Sequence, residues 1–152
     1  TIVEQPVRSD DWLGMERLTS LARLAIMADE SVWSERDAFS LARIGAATMF
    51  NLKPLKCGGL YPAGKFLGVA ESAGISCMVG STVQTSISAS AQAQLMAAWN
   101  IITLADIVVP SEFLIEDVAN GFEVEQGRVI LAERPGLGLE VDRSLIAKYL
   151  VH

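Results

Sequence analysis

Glu4, Asp29 and Lys53 each close a short apolar stretch, in Val3-Glu4-Gln5-Pro6, Ala28-Asp29-Glu30-Ser31 and Asn51-Leu52-Lys53-Pro54. They lie 25 and 24 residues apart, a step that suits one strand, one helix and their loops. Parallel strands joined by crossover helices end on a common rim. Two carboxylates and a lysine on that rim would face one pocket. Carboxylate oxygens suit a hard divalent cation, and a lysine beside a cation can exchange a proton near neutrality. The expected chemistry is a divalent metal next to a lysine base.

The elements that must position these residues are legible in the flanking pattern. Thr1 to Glu4 reads as a strand. Asp10 or Asp11 caps a helix to about Arg23, with Trp12, Met15, Leu18, Leu21 and Ala22 at helical spacing. Leu24 to Met27 is a buried strand. Ser34 caps the next helix, with Asp37 three residues on. That helix is expected to bury Phe39, Leu41 or Ala42, and Ile44, and to stop at Gly45. Thr48 to Leu52 is the third strand. Gly58-Gly59 makes a tight turn into a helix over Leu60 to Ser72, which ends at Gly74. Ile75 to Val79, a helix over Thr85 to Trp99, and a strand within Ile101 to Val108 follow. Phe122-Glu123-Val124 and Arg128-Val129-Ile130-Leu131 flank Glu125-Gln126-Gly127 and read as a hairpin. Asp142 caps a last helix to Leu150.

Five strands alternating with helices imply an α/β fold with a parallel sheet. Strands apolar throughout imply cover on both faces. An open doubly wound sheet and part of a (β/α) TIM-type barrel both satisfy this. No glycine-rich phosphate loop follows any strand, which removes the best support for a nucleotide-binding open sheet. Functional groups at successive strand ends favour the barrel, whose sites lie on the C-terminal rim.

At 152 residues and 51% hydrophobic composition the chain can bury a sizeable core. A formal charge of −6 argues against nucleic acid as a partner. No apolar run reaches the roughly 18 residues of a membrane span, so no membrane partner is expected. Cys57 and Cys77 lack metal or redox spacing and read as free thiols, consistent with a cytoplasmic location. Trp12, Trp33 and Trp99 read as core or helix-packing residues, with a place on the pocket wall the lesser alternative for Trp33; Lys56 reads as pointing to solvent or to a phosphate-like group, with contact to the site the lesser alternative. His152, the sole histidine, is terminal and is not a catalytic base, so Ser-His-Asp and Cys-His mechanisms are excluded within this segment.

The runs VEQPV, ADESVWS, NLKPLKCGGL, AESAGISCMVGS, QTSIS, EDVANG and PGLGLEVD, in this order, resemble the C-terminal half of the catalytic barrel in the enolase superfamily, muconate lactonizing branch. The resemblance implies a modified barrel of which residues 1–152 supply roughly strands 4 to 8, plus a C-terminal hairpin and tail. It also implies a separate N-terminal capping domain, the first barrel strands, a first metal ligand and a KxK lysine pair, none of which matches these residues. By motif, Glu4 is similar to the middle Mg²⁺ ligand, Asp29 to the third ligand, and Lys53 to the catalytic lysine of a later strand. Glu30 is similar to the acid that holds a ligand or lysine in place behind the metal. Asn51, Gly80, Ser81, Gln84 and Asp106 are candidates to touch substrate.

Two departures bear on function. Gln84 stands where the family often has Glu, and it can hydrogen-bond but carries no charge. Asp106-Ile107-Val108 keeps only the first acid of the Asp-x-Asp found in dipeptide epimerases, which lowers that reading. The resemblance implies a Mg²⁺-dependent cycloisomerase forming an enolate on a small carboxylate substrate, in a homo-oligomer. Racemisation or epimerisation of an N-acyl amino acid or dipeptide is the second expectation, and dehydration, including o-succinylbenzoate synthesis, the third. A non-enzymatic half-barrel that must pair with another chain is the alternative of a different class, and the segment alone is expected to be inactive.

Overall fold

The computed structural model describes residues 1–150. His152, set aside above as a base, lies outside the described residues. The chain forms two compact units. The first comprises Thr1–Gly80 and Trp99–Asp106, and the second comprises 81–98 and the chain from Ile107 on.

The first unit begins with β1 (Ile2–Glu4), α1 (Trp12–Leu21), β2 (Ala25–Ala28) and α2 (Glu35–Ile44). β3 (Met49–Leu52), α3 (Pro54–Cys57), α4 (Leu60–Ser72) and β4 (Ser76–Val79) follow. In chain order α5 (Ser86–Ala98), part of the second unit, precedes β5 (Ile102–Ala105). The five strands form one sheet in the order β1-β2-β3-β4-β5, and every neighbouring pair is parallel. Spatial order therefore follows chain order with no reversal. A doubly wound sheet reverses direction at a switch point, whereas a barrel adds each strand beside the last. This sheet is the barrel-type alternative.

Local signals start and stop these elements. Asp11 caps α1 by accepting from Gly14 N, and the helix ends at Leu21, short of the expected Arg23. Ser34 and Asp37 close a reciprocal capping box on α2, and Gly45 ends it in the left-handed conformation. Pro54 opens α3, a single turn between the third strand and the Gly58-Gly59 turn, because proline at the first helical position loses no helical bond.

The core lies between the sheet and α2 and α4. Phe50 is fully buried and meets Phe66 of α4 edge to face, with centroids 5.6 Å apart. On α2 the buried residues are Ala38 and Leu41, whereas Phe39 is exposed. Phe39 instead borders a surface groove with Gly68 and Ala73. The outer strands are less covered than their composition suggests. Thr103, Leu104 and Ala105 of β5 are all exposed, and Glu4 ends β1 exposed.

In the second unit, Asp117 accepts from Ser86 N and Oγ at 2.8 and 2.6 Å, anchoring the start of α5. The short α6 (Pro110–Phe113) precedes β6 (Ala119–Asn120), β7 (Glu123–Glu125), β8 (Arg128–Ile130), β9 (Glu140–Val141) and α7 (Arg143–Lys148). β7 and β8 form the expected hairpin. Gln126 and Gly127 turn it at φ 49° and 76°, the sign that matches strand twist. β6 pairs antiparallel with β9, a two-residue ladder that no sequence pattern signalled.

Candidate active site

Parallel register and side-chain alternation decide which groups share a face. Phe50 points toward α4, so its neighbour Asn51 points to the opposite face. Glu4 pairs in register with Met27, and Met27 with Met49, on that same face. Asp29 follows Met27 by two residues and Lys53 follows Asn51 by two, so strand periodicity carries both toward it at the C-terminal ends.

Asp29 is the centre of this cluster and is 4% exposed. Lys53 Nζ donates to its Oδ2 at 2.5 Å. Lys56 Nζ donates to its Oδ1 at 2.5 Å and to its backbone carbonyl at 2.7 Å. Burial pushes the Asp29 carboxyl up. The hydrogen bonds and charges of Lys53 and Lys56 oppose this and hold it below the usual carboxylate range. Lys56 is thus not a solvent-facing residue. The single turn of α3 swings it back over the strand end, where its ammonium also lies 5.5 Å from the Trp33 ring centroid. Trp33 is no core residue either, being 53% exposed with its Nε1 donating to the Glu30 carbonyl.

Gln5 is the site residue that sequence reading missed. Its Oε1 accepts from Asp29 N and Ser31 N at 2.9 and 3.1 Å, and its Nε2 donates to Ser31 Oγ and the Val7 carbonyl. The amide ties the end of β1 to the loop after β2. Gln5 adopts φ 39°, an uncommon conformation for a residue with a Cβ. The sequence signal was a polar amide between Glu4 and Pro6, where a solvated strand end has no need of one.

The remaining candidates are distributed differently. Asn51 is buried, and its Nδ2 donates to Glu4 Oε1 at 2.7 Å. Gly80 is buried at the end of β4, with its N–H on the Leu52 carbonyl. Asp106 is exposed at the end of β5, with its N–H on the Val79 carbonyl. Glu30 is exposed. In the second unit, Ser81 Oγ accepts from Val108 N at 2.7 Å, and Gln84 is buried with its Nε2 on Gln92 Oε1 at 2.9 Å. The amide of Gln84 is therefore engaged within its own unit. A cleft of about 620 Å³ in the second unit is bordered by Ser86, Asp117 and Asn120, but not by Glu4, Asp29 or Lys53.

Glu4 and Asp29 fit a divalent cation by donor type, as hard carboxylate oxygens at the ends of neighbouring strands. Among the described residues no third acidic, histidine or cysteine side chain completes a cluster with them. Both Asp29 oxygens accept from lysines, so a cation on Asp29 requires an ammonium to withdraw. Lys53 makes one bond there and Lys56 makes two, so Lys53 is the easier to release.

A family described as enolase C-terminal domain-like matches residues 1–145. The chain is 36% identical over 149 residues to N-succinyl-L-Arg/Lys racemase of Bacillus cereus, covering 98% of the chain and 40% of that protein. The crystal structure of that racemase superposes with a TM-score of 0.90. L-Ala-D/L-Glu epimerase of Bacillus subtilis is 39% identical over 139 residues, covering 91% of the chain and 38% of that protein. Muconate lactonizing enzyme from Pseudomonas putida is 33% identical with a TM-score of 0.89, covering 97% of the chain and 42% of that structure. The chain spans about 40% of the length of the curated relatives it matches.

Proposed function

Because the chain belongs to the enolase C-terminal domain-like family, we propose that the whole protein is a Mg²⁺-dependent isomerase that moves a proton beside a substrate carboxylate. The observation that carries this reading is the Lys53 ammonium on Asp29 Oδ2 at 2.5 Å, at the ends of neighbouring parallel strands. When bound by Glu4 and Asp29, Mg²⁺ would stabilise the negative charge that develops on the substrate carboxylate as the proton leaves. Lys53 Nζ is the group that takes or returns the proton. Lys56 keeps Asp29 oriented while Lys53 turns to the substrate. Gln5 holds the backbone at Asp29 and Ser31, so the loop carrying that carboxylate does not drift.

Among subtypes, racemisation or epimerisation of an N-acyl amino acid or dipeptide now stands ahead of cycloisomerisation. The racemase and epimerase are 36% and 39% identical to the chain, against 33% for the lactonizing enzyme. Cycloisomerisation remains the second reading, supported by the superposition on the lactonizing enzyme. In both, the substrate is a small carboxylate and Lys53 handles the proton. Asp106 is the exposed acid at the rim of β5 that would meet a substrate ammonium.

The test is deuterium exchange at Cα, by mass spectrometry, on N-acyl amino acids and dipeptides with the full-length protein in D₂O. Exchange that falls about 10²- to 10⁴-fold in Lys53→Ala supports the reading. Unchanged turnover in that variant removes Lys53 from the chemistry. Lactonisation of a muconate without Cα exchange would favour the second reading.

A further inference from the structure

Asn51 has an unusual balance of contacts. Its side chain is buried, at 2% exposure, on the same face as the acidic cluster. The Nδ2 group donates to Glu4 Oε1 at 2.7 Å. That bond settles the orientation of the amide, because only its nitrogen can donate to a carboxylate. The other end, Oδ1, is buried and has no hydrogen-bond partner among the described residues. An unsatisfied buried acceptor is unfavourable, so something else must hold the amide this way.

The bond to Glu4 holds it, and Gly80 leaves the space for it. A Cβ built on Gly80 would overlap Asn51 Oδ1, Cγ and Nδ2. Gly80 is not among the residues with positive φ, so its backbone does not demand glycine. What the missing side chain provides is room for the Asn51 amide. Glu4, by contrast, lies exposed at the end of an outer strand, and the bond from Asn51 gives its flexible side chain one direction. One carboxylate oxygen is engaged in that bond.

We propose that Asn51 is a positioning residue that presents the Glu4 carboxylate to a divalent cation, and that Gly80 is the space that lets it do so. This rests on the proposed function, since it takes Glu4 as a cation ligand. It differs from a substrate-contacting role for Asn51, because Nδ2 is engaged by Glu4 and Oδ1 is buried.

The test is Mg²⁺ affinity of the full-length protein, measured by titration calorimetry, with thermal midpoints in metal-free buffer as the control for folding. Asn51→Ala should weaken Mg²⁺ binding about tenfold, as loss of a group supporting a ligand does, with a midpoint close to wild type. Gly80→Ala should weaken it similarly by displacing the amide. The double variant should be no weaker than Asn51→Ala alone, because an alanine at 51 leaves nothing for the new Cβ to strike. Unchanged affinity in Asn51→Ala, or additive losses in the double variant, would overturn the proposal. Should Gly80→Ala fail to fold, Asn51→Ala and Asn51→Ser decide it alone. If wild type itself binds no Mg²⁺, the metal reading falls with the proposal; if wild type binds and Asn51→Ala binds equally, only the proposal falls.

Discussion

Replacing Lys56 with methionine should test the proposed division between a lysine that orients Asp29 and one that moves the proton. Lys56 donates to both Asp29 Oδ1 and the Asp29 carbonyl, and its side chain is 11% exposed. Lys53 makes one bond to Asp29 Oδ2 and is 17% exposed. A bond to a charged group contributes about 2 kcal/mol and one to a neutral carbonyl about 1 kcal/mol. Lys56→Met should therefore cost about 3 kcal/mol of unfolding free energy and Lys53→Met about 2 kcal/mol. Neither leaves Asp29 without a cation, so both losses should stay at or below the low end of the ~3–5 kcal/mol range of a fully stranded buried charge. The assay is urea unfolding of the full-length protein at neutral pH with chelator present, comparing midpoints at constant slope. Turnover should show the reverse order, with Lys53→Met the more damaging. A Lys56→Met variant within about 0.5 kcal/mol of wild type, the range of an ordinary surface change, would refute the inward placement of Lys56. So would a Lys53→Met variant that is the less stable of the two.

The depressed Asp29 carboxyl predicts a pH dependence. Its contribution to stability is present above the unfolded value of about 4 and is lost as pH falls through the lower folded value. Unfolding free energy measured from neutrality into acid should thus fall less steeply in Asp29→Asn than in wild type. Ser34→Ala removes the capping box of α2 and should cost about 1 kcal/mol, read from the urea midpoint. Phe50→Ala opens the contact with Phe66 and should cost about 3–5 kcal/mol by the same measure. Burial pushes the Cys57 and Cys77 thiols up to about 11 and about 12. Cys77, fully buried, should not react with a thiol-specific reagent near neutrality until denaturant is added, and half-buried Cys57 should react more slowly than a free thiol; rapid labelling of Cys77 in the folded protein would contradict its burial.

What was legible in the sequence follows from local physics. The capping residues Asp11, Ser34 and Asp142, the glycine stop at Gly45 and the Gln126-Gly127 turn each act within a few residues of themselves. The strand ends at Glu4, Asp29 and Lys53 were readable for the same reason, because apolar runs and their polar terminators are adjacent in the chain. Strand composition could not separate an open sheet from a barrel, since both bury β2 and β3 alike. The functional groups at successive strand ends and the family resemblance favour the barrel, and the order β1-β2-β3-β4-β5, set by which strands pair across some 20 residues of intervening chain, bears that out.

The errors have a common cause. Residue type alone does not place Lys56, Trp33 or Phe39: Asp29 places the first, the Glu30 carbonyl and Lys56 the second, and helix phase the third. Lys56 is a surface residue by composition, but a buried carboxylate at Asp29, 27 residues earlier, gives its ammonium a partner that water cannot match. Phe39 is apolar, yet α2 has only one covered stripe, and Ala38 and Leu41 occupy it. Gln5 was silent because its four hydrogen bonds span two strand ends. The sequence by itself thus determined the chemical types at the rim and the elements that carry them. The tertiary structure alone decided that both lysines hold Asp29, which amide holds Glu4, and that a Cβ at Gly80 would meet Asn51, because those are contacts between strand ends, and strand pairing is not written in any one stretch of chain.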